Sequence, residues 1–154
     1  MSVGTSILCP PGGKTITDVH STPPDLFGRL HAEFSFTLDP CSDGANAVVP
    51  RHFTPEIDGL SQDWSRDRVF MNPPYTECLA WMRKAYESAQ AGAVVVCLIP
   101  VRTDTTWWHE YAMKGEIRFI RGRLKFGSAM ANAPFPSALV IFRGRPPSME
   151  SISR

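Results

Sequence analysis

The chain has 154 residues, 43% of them hydrophobic, with 16 Lys and Arg against 15 Asp and Glu. That is apolar material for one core, and it favours a single globular domain, with no room for a second, over a disordered or fibrous chain. The longest apolar run, Ala93 to Val101, is far short of the ~20 residues of a membrane-spanning helix, and no basic-then-apolar leader is present, so a cytoplasmic protein without a membrane partner is expected.

Residues 1 to 17 are rich in Gly, Pro and Ser without a period, which predicts a flexible tail before a single domain spanning 18 to 143. Thr22 and Pro23-Pro24 signal a helix start, and Phe27, Leu30 and Phe34 follow at helical spacing. Phe36-Thr37-Leu38 reads as a short strand running into Asp39-Pro40, and Val69-Phe70-Met71 as another running into Asn72-Pro73-Pro74-Tyr75. Thr76 then caps a helix whose apolar face is Leu79, Met82, Ala85, Tyr86 and Ala89, ended by Gly92.

Val94 to Ile99 is apolar on both faces, as a central strand of a covered parallel sheet must be. Ile117 to Phe126 and Phe135 to Phe142 read as strands joined by the loop 127 to 134, and they close the sheet as an antiparallel pair. Residues 144 to 154 predict a second flexible tail. Strands alternating with helices give an α/β, Rossmann-like sheet, mostly parallel with an antiparallel C-terminal pair and helices on both faces. Ligands of such sheets bind at the carboxyl ends of the strands, where Asp39-Pro40 and the Asn72 loop both fall.

Cys9, Cys41, Cys78 and Cys97 show no CxxC spacing, so they read as reduced thiols and no metal is expected. Residues 101 to 154 hold nine Lys and Arg against four Asp and Glu, a balance that suits a polyanion along that side.

The tetrapeptide Asn72-Pro73-Pro74-Tyr75 carries the chemistry. The lone pair of adenine's exocyclic amine is delocalised into the ring. Two acceptors side by side, the Asn72 side-chain carbonyl and the Pro73 backbone carbonyl, would take its two hydrogens and localise that pair for methylation. Successive prolines fix φ and donate no N–H, which keeps the Pro73 carbonyl out of any ladder. Tyr75 offers an aromatic face for a base swung out of the helix. Asn before Pro is also ordinary turn chemistry; the position between a hydrophobic strand and a helix favours the catalytic reading.

From Thr22 to Phe142 the residues resemble the phage-type adenine-specific DNA methyltransferases of the Dam family. The resemblance is carried by Thr22-Pro23, by Phe36 to Ala47 (FTLDPCSDGANA), by Asp58-Gly59-Leu60 with Trp64, and by Asn72-Pro73-Pro74-Tyr75. It continues through Leu98-Ile99-Pro100 with Thr103 and Trp107, Arg121 to Phe126 (RGRLKF), and Phe135-Pro136-Ser137. It implies a class I methyltransferase fold, S-adenosylmethionine as cofactor, and adenine flipped from double-stranded DNA as acceptor.

No GxG turn is present; the stretch Leu38 to Gly44, with Asp39, Pro40 and Asp43, takes its place. Asp39 and Asp43 are candidates for polar contacts to the cofactor, and Asp58 for its adenine or ribose. Thr22 and Pro23 line its methionine end by resemblance. For Asp43 and Asp58 a surface turn is an equal reading.

Arg102, Thr103 and Trp107, with Trp108 and His109, form a candidate DNA-facing loop; packing of both indoles beneath the sheet is the alternative. His109 reads as a structural histidine. Arg121, Arg123 and Lys125 alternate along a strand and so face phosphates on one side, or form a solvated edge. Two rival functions remain: methylation of another planar nitrogen, in a glutamine side chain or an RNA guanine, and a non-catalytic DNA-binding relative.

Overall fold

Val94–Pro100 contains no charged side chain, so it is stable only inside a sheet covered on both faces. The computed structural model, which describes residues 21–126 and 132–154, puts it there. In chain order the strands are β1 (Arg68–Met71), β2 (Val94–Pro100), β3 (Glu116–Arg121), β4 (Ser137–Phe142) and β5 (Ser148–Ser153). The helices are α1 (Pro24–Phe34), α2 (Cys78–Gln90) and α3 (Thr106–Glu110). The strands form one five-stranded sheet in the order β1-β2-β4-β3-β5. β1 pairs parallel with β2 and β3 parallel with β5, while β4 runs against both β2 and β3.

The sheet is therefore mixed and mostly parallel, within an α/β chain. The last two expected strands are antiparallel, but β4 inserts between β2 and β3 instead of extending the edge. Alternation along each strand sorts the core into two layers. Val69, Met71, Val95, Cys97, Val140 and Phe142 pack beneath α2 and α3, whereas Phe70, Val96, Leu98, Leu139 and Ile141 pack beneath Leu26, Leu30 and Phe34 of α1. Each fully buried Val, Leu or Ile contributes roughly 1.5–3 kcal/mol.

Four local differences from the sequence expectation have physical causes. At Phe36–Leu38 only one parallel bridge forms, Leu38 to Val69. The chain then turns aside, with Asp39 N–H donating to Arg51 O (3.1 Å) and Phe53 N–H to Asp39 O (2.9 Å), and Pro40 has no N–H to continue a ladder. The third strand stops at Arg121 because Gly122 takes φ +81°.

In α2, a 3₁₀ turn at Tyr75–Glu77 precedes the helix, so Glu77 and not Thr76 stands at its start. The helix consequently buries Cys78, Trp81, Met82, Ala85 and Ser88 and turns Leu79 outward, 40% exposed. Trp81 takes the inner position by stacking on Trp64, ring centroids 6.2 Å apart.

The C-terminal stretch, expected to lack regular structure, contains β5. Its side chains face solvent, so no hydrophobic period marks it; it is held by backbone pairing to β3 from Glu116↔Ser148 to Arg121↔Ser153. Two arginines fasten it. Arg118 pairs with Glu150 at 2.7 Å while gripping Glu33 of α1 through both terminal nitrogens (2.6 and 2.7 Å). Arg29 donates to Ser153 O at 3.0 Å. The expected N-terminal tail, residues 1 to 17, lies outside the described residues. Among the described residues no helix is long and apolar enough to cross a membrane.

Candidate functional site

Because β1, β2, β3 and β5 run the same way, the segments after them leave one edge of the sheet: Asn72–Tyr75 after β1, Arg102 after β2, Arg123–Lys125 after β3 and Arg154 after β5. Asp39 joins that edge through the parallel bridge of Leu38 to Val69. This is the carboxyl edge at which sheets of this kind hold ligands.

The ladder of β1 ends at Met71 because Pro73 and Pro74 have no N–H to give. Asn72 is gripped on both sides of its amide: Nδ2 donates to Thr22 Oγ1 (3.1 Å), and Oδ1 accepts from the Tyr75 hydroxyl (3.2 Å). Pro74 O accepts from Glu77 N–H at 3.0 Å, closing the turn into α2. The Pro73 carbonyl accepts no hydrogen bond from any described residue. Tyr75 meets Phe135 edge-on (5.5 Å, 76°) and Phe126 in the same manner (6.4 Å, 77°). The Arg102 guanidinium lies over Phe135 at 5.9 Å. Spacing does not reveal Phe126 and Phe135 as neighbours of the loop, since strand order alone brings them there.

The loop that stands where a glycine turn is usual is braced by its own side chains. Asp39 is 5% exposed; Oδ1 accepts from Cys41 N–H (3.4 Å) and Oδ2 from Val48 N–H (3.1 Å). Burial pushes its pKa up to about 6, against the opposing pull of those two N–H groups and of His52. Asp43 Oδ1 accepts from Ala45 N–H (2.8 Å) and Asn46 N–H (2.9 Å), and Gly44 N–H donates to Ser42 Oγ (2.8 Å). Asp43 thus performs turn work in this structure. Burial raises the Cys41 thiol well above its ordinary range, the charge of Asp39 adding to the rise and the Asn72 backbone opposing it. Cys41 thus lies where the Asp39 loop and the Asn72 loop meet around one small hollow.

Two hollows flank Cys41. The larger, about 260 Å³, is walled by Pro40, Asp58, Leu60, Glu77 and Trp81 among others. The smaller, about 10 Å³, lies between Thr22, Asp39, Asn46, Phe70 and Asn72. Gly59 closes the larger one: a Cβ there would lie 2.0 Å from Pro40 O, so only glycine permits this approach. The Gly59 carbonyl accepts from the Trp64 indole at 2.9 Å, and Asp58 beside it sits at φ +59°. Of the residues expected to meet a cofactor, Pro40 and Asp58 fall in the larger hollow and Thr22 and Asp39 in the smaller. Pro23 faces a third. Glu77 and Trp81 are wall residues that the sequence reading missed, because Trp81 lies off the helix face assigned there.

The expected DNA-facing residues separate. Arg102 and Thr103 are exposed. Trp107 is not: it is 8% exposed and packs with Trp108 in the core beneath the sheet. The indole leaves the expected interface because the five-residue α3 docks on the sheet through Trp107 and Trp108 together, its two apolar side chains. His109 donates from Nε2 to Thr103 O at 2.7 Å, a structural bond. Arg121, Arg123 and Lys125 are all exposed, but only Arg121 lies on a strand. Arg123 and Lys125 alternate with the buried Leu124 and Phe126 and line the third hollow, about 410 Å³, with Arg154.

Residues 12–150 match the family model described as DNA N-6-adenine-methyltransferase (Dam). A protein of Escherichia phage T1 named DNA N-6-adenine-methyltransferase is 24% identical over 132 residues, covering 70% of this chain and 56% of that relative. One of the same name from Haemophilus phage HP1 (strain HP1c1) is 29% identical over 146 residues, covering 87% of this chain and 83% of its own length. The chain thus spans little more than half of the first relative.

Proposed function

We propose, for a chain that belongs to the DNA N-6-adenine-methyltransferase (Dam) family, that it methylates the N6 amino group of adenine in DNA at the Asn72–Tyr75 loop, with S-adenosylmethionine as donor. The observation that carries this is the pair of carbonyls at the sheet edge: an Asn72 amide held from both sides, next to a Pro73 carbonyl with no partner among the described residues. Asn72 Oδ1 and Pro73 O accept the two amine hydrogens and concentrate the lone pair on nitrogen. Thr22 keeps the amide from rotating. Tyr75, backed by Phe126 and Phe135, stacks on the extruded base, a contact worth about 1–3 kcal/mol.

The residues around Cys41 fit the donor. A carboxylate at Asp58, another at Glu77 and apolar walls at Pro40, Leu60 and Trp81 suit a molecule with an adenine, ribose hydroxyls and two positive charges. Pro40 and Asp58 hold its adenosine half, while Thr22 and Asp39 border its methionine half; Asp43 braces the loop between them. When bound, S-adenosylmethionine supplies an electrophilic methyl group on a cationic sulfur. The fold reading is a class I, Rossmann-like methyltransferase sheet, supported by the antiparallel β4 set among parallel strands. Arg102, Arg123 and Lys125 receive the DNA backbone.

Incubation with unmethylated duplex DNA and S-adenosylmethionine, followed by mass spectrometry of the nucleosides, tests the proposal. N6-methyldeoxyadenosine is the expected product. Methyl groups found only in RNA or in protein overturn the choice of acceptor.

A further inference from the structure

The positive excess of the C-terminal third is divided by the fold into two sets. Arg118 is ion-paired with Glu33 and Glu150, and Arg143 grips Glu116 through two nitrogens at 2.5 and 2.7 Å. Arg123, Lys125 and Arg154 instead converge on the third hollow, and none of them has a carboxylate partner among the described residues. Three cations around one concavity outnumber the acid that faces it, so the hollow carries a positive potential that favours an anion. Asn132 adds an amide to the wall, and Asp25 is the single acid that faces the hollow.

Arg154 is put there by construction. β5 buries almost nothing, yet it is fixed by backbone pairing, by Arg118 through Glu150 and by Arg29 through Ser153 O. Its register delivers Arg154 across Gly122, where Nη1 donates to Arg123 O at 3.3 Å. A side chain at position 122 would meet Arg154 Cδ at 3.2 Å. The hollow is lined by Pro23, whose neighbour Thr22 holds the Asn72 amide.

We propose that Arg154, with Arg123 and Lys125, seats a backbone phosphate of the acceptor DNA strand in this hollow, and that β5 exists to hold Arg154 in place. The inference rests on the DNA reading above. A phosphodiester offers two anionic oxygens to a planar guanidinium fork, the geometry Arg meets best. Such a contact fixes the register of the strand on the protein and carries no base information.

The test is binding of a fluorescent DNA duplex, by anisotropy, from 50 to about 200 mM salt, a range over which phosphate contacts dominate the salt dependence. Arg154→Gln is expected to weaken binding about tenfold at low salt and to flatten log K against log salt by about 0.9, the loss of one phosphate contact. Arg154→Lys is expected to restore the slope. Arg145→Gln, a charge loss at the opposite edge, is expected to leave it unchanged. Hydrogen exchange at amides 148–153 checks that β5 stays paired to β3 in each variant. A wild-type slope in Arg154→Gln overturns the inference. Inorganic phosphate bound by the wild type and lost in Arg154→Gln, with the DNA slope unmoved, also overturns it and assigns the hollow to a free anion. Failure of the wild type to bind any DNA is a different result, and it removes the parent reading.

Discussion

Replacing Asp39 by Asn gives a prediction whose magnitude follows from the structure. Burial raises this carboxyl from 3.8 to about 6, a difference equivalent to roughly 3 kcal/mol between the charged and neutral forms. Because the folded pKa lies above the unfolded one, the folded chain holds the proton more tightly, and stability falls as pH rises from about 4 through 6. About 1.3 kcal/mol of that fall lies between pH 5 and 7. Glu33 and Glu116 are shifted the other way, down, chiefly by hydrogen bonds from Arg118 and Arg143. Their stabilisation is complete above the ordinary glutamate range and is lost only as pH falls below it, so it is constant in this window.

Asparagine also turns an NH2 toward Val48 N–H, a pH-independent penalty of about 1–3 kcal/mol. The slope and not the offset is therefore the diagnostic quantity. Urea unfolding of both proteins at pH 5 and pH 7 should show the wild type losing roughly 1.3 kcal/mol more than Asp39→Asn. Parallel pH dependence in the two proteins refutes the buried-carboxyl reasoning.

Other outcomes follow from the same geometry. Asn72→Ala should lower turnover by about 100-fold or more with a far smaller change in S-adenosylmethionine affinity by calorimetry, since the main loss is an acceptor used in the transition state. Gly59→Ala must push Pro40 O away from a Cβ at 2.0 Å; thermal melts should show a loss of about 1–3 kcal/mol, with weakened cofactor binding from the same displacement. Arg118→Ala breaks the tie to Glu33 and Glu150, and hydrogen exchange should show amides of 148–153 losing protection before those of β2 and β4.

The Asn72 loop and the buried β2 are readable in the sequence because each depends on local chemistry: prolines end a ladder wherever they occur, and an all-apolar run must be covered. Leu30 and Phe34 behave the same way, through the helical period that buries them. What fails to be legible depends on contacts distant in the chain. β5 has no apolar face to announce it, only a partner strand and two arginine ties. Trp81 displaces Leu79 from the core because Trp64 waits for it, and Trp107 turns inward beside Trp108 because the two indoles together dock the short α3. Gly59 resembles any turn glycine until Pro40 is set against it. The site divides likewise: Pro40 and Asp58, both candidates from the sequence, line one hollow, while Cys41, Glu77, Phe126 and Phe135 join through folding alone.

The antiparallel course of β4 has a practical consequence. It carries the link between β4 and β5, residues 143–147, to the rim farthest from Asn72, where Gly144 has open space around it at φ +71°. Lengthening such a link costs only about 0.6 kcal/mol per doubling. A tether or fluorescent label grafted between Gly144 and Pro147 therefore gives a handle for immobilising the protein with its working rim outward.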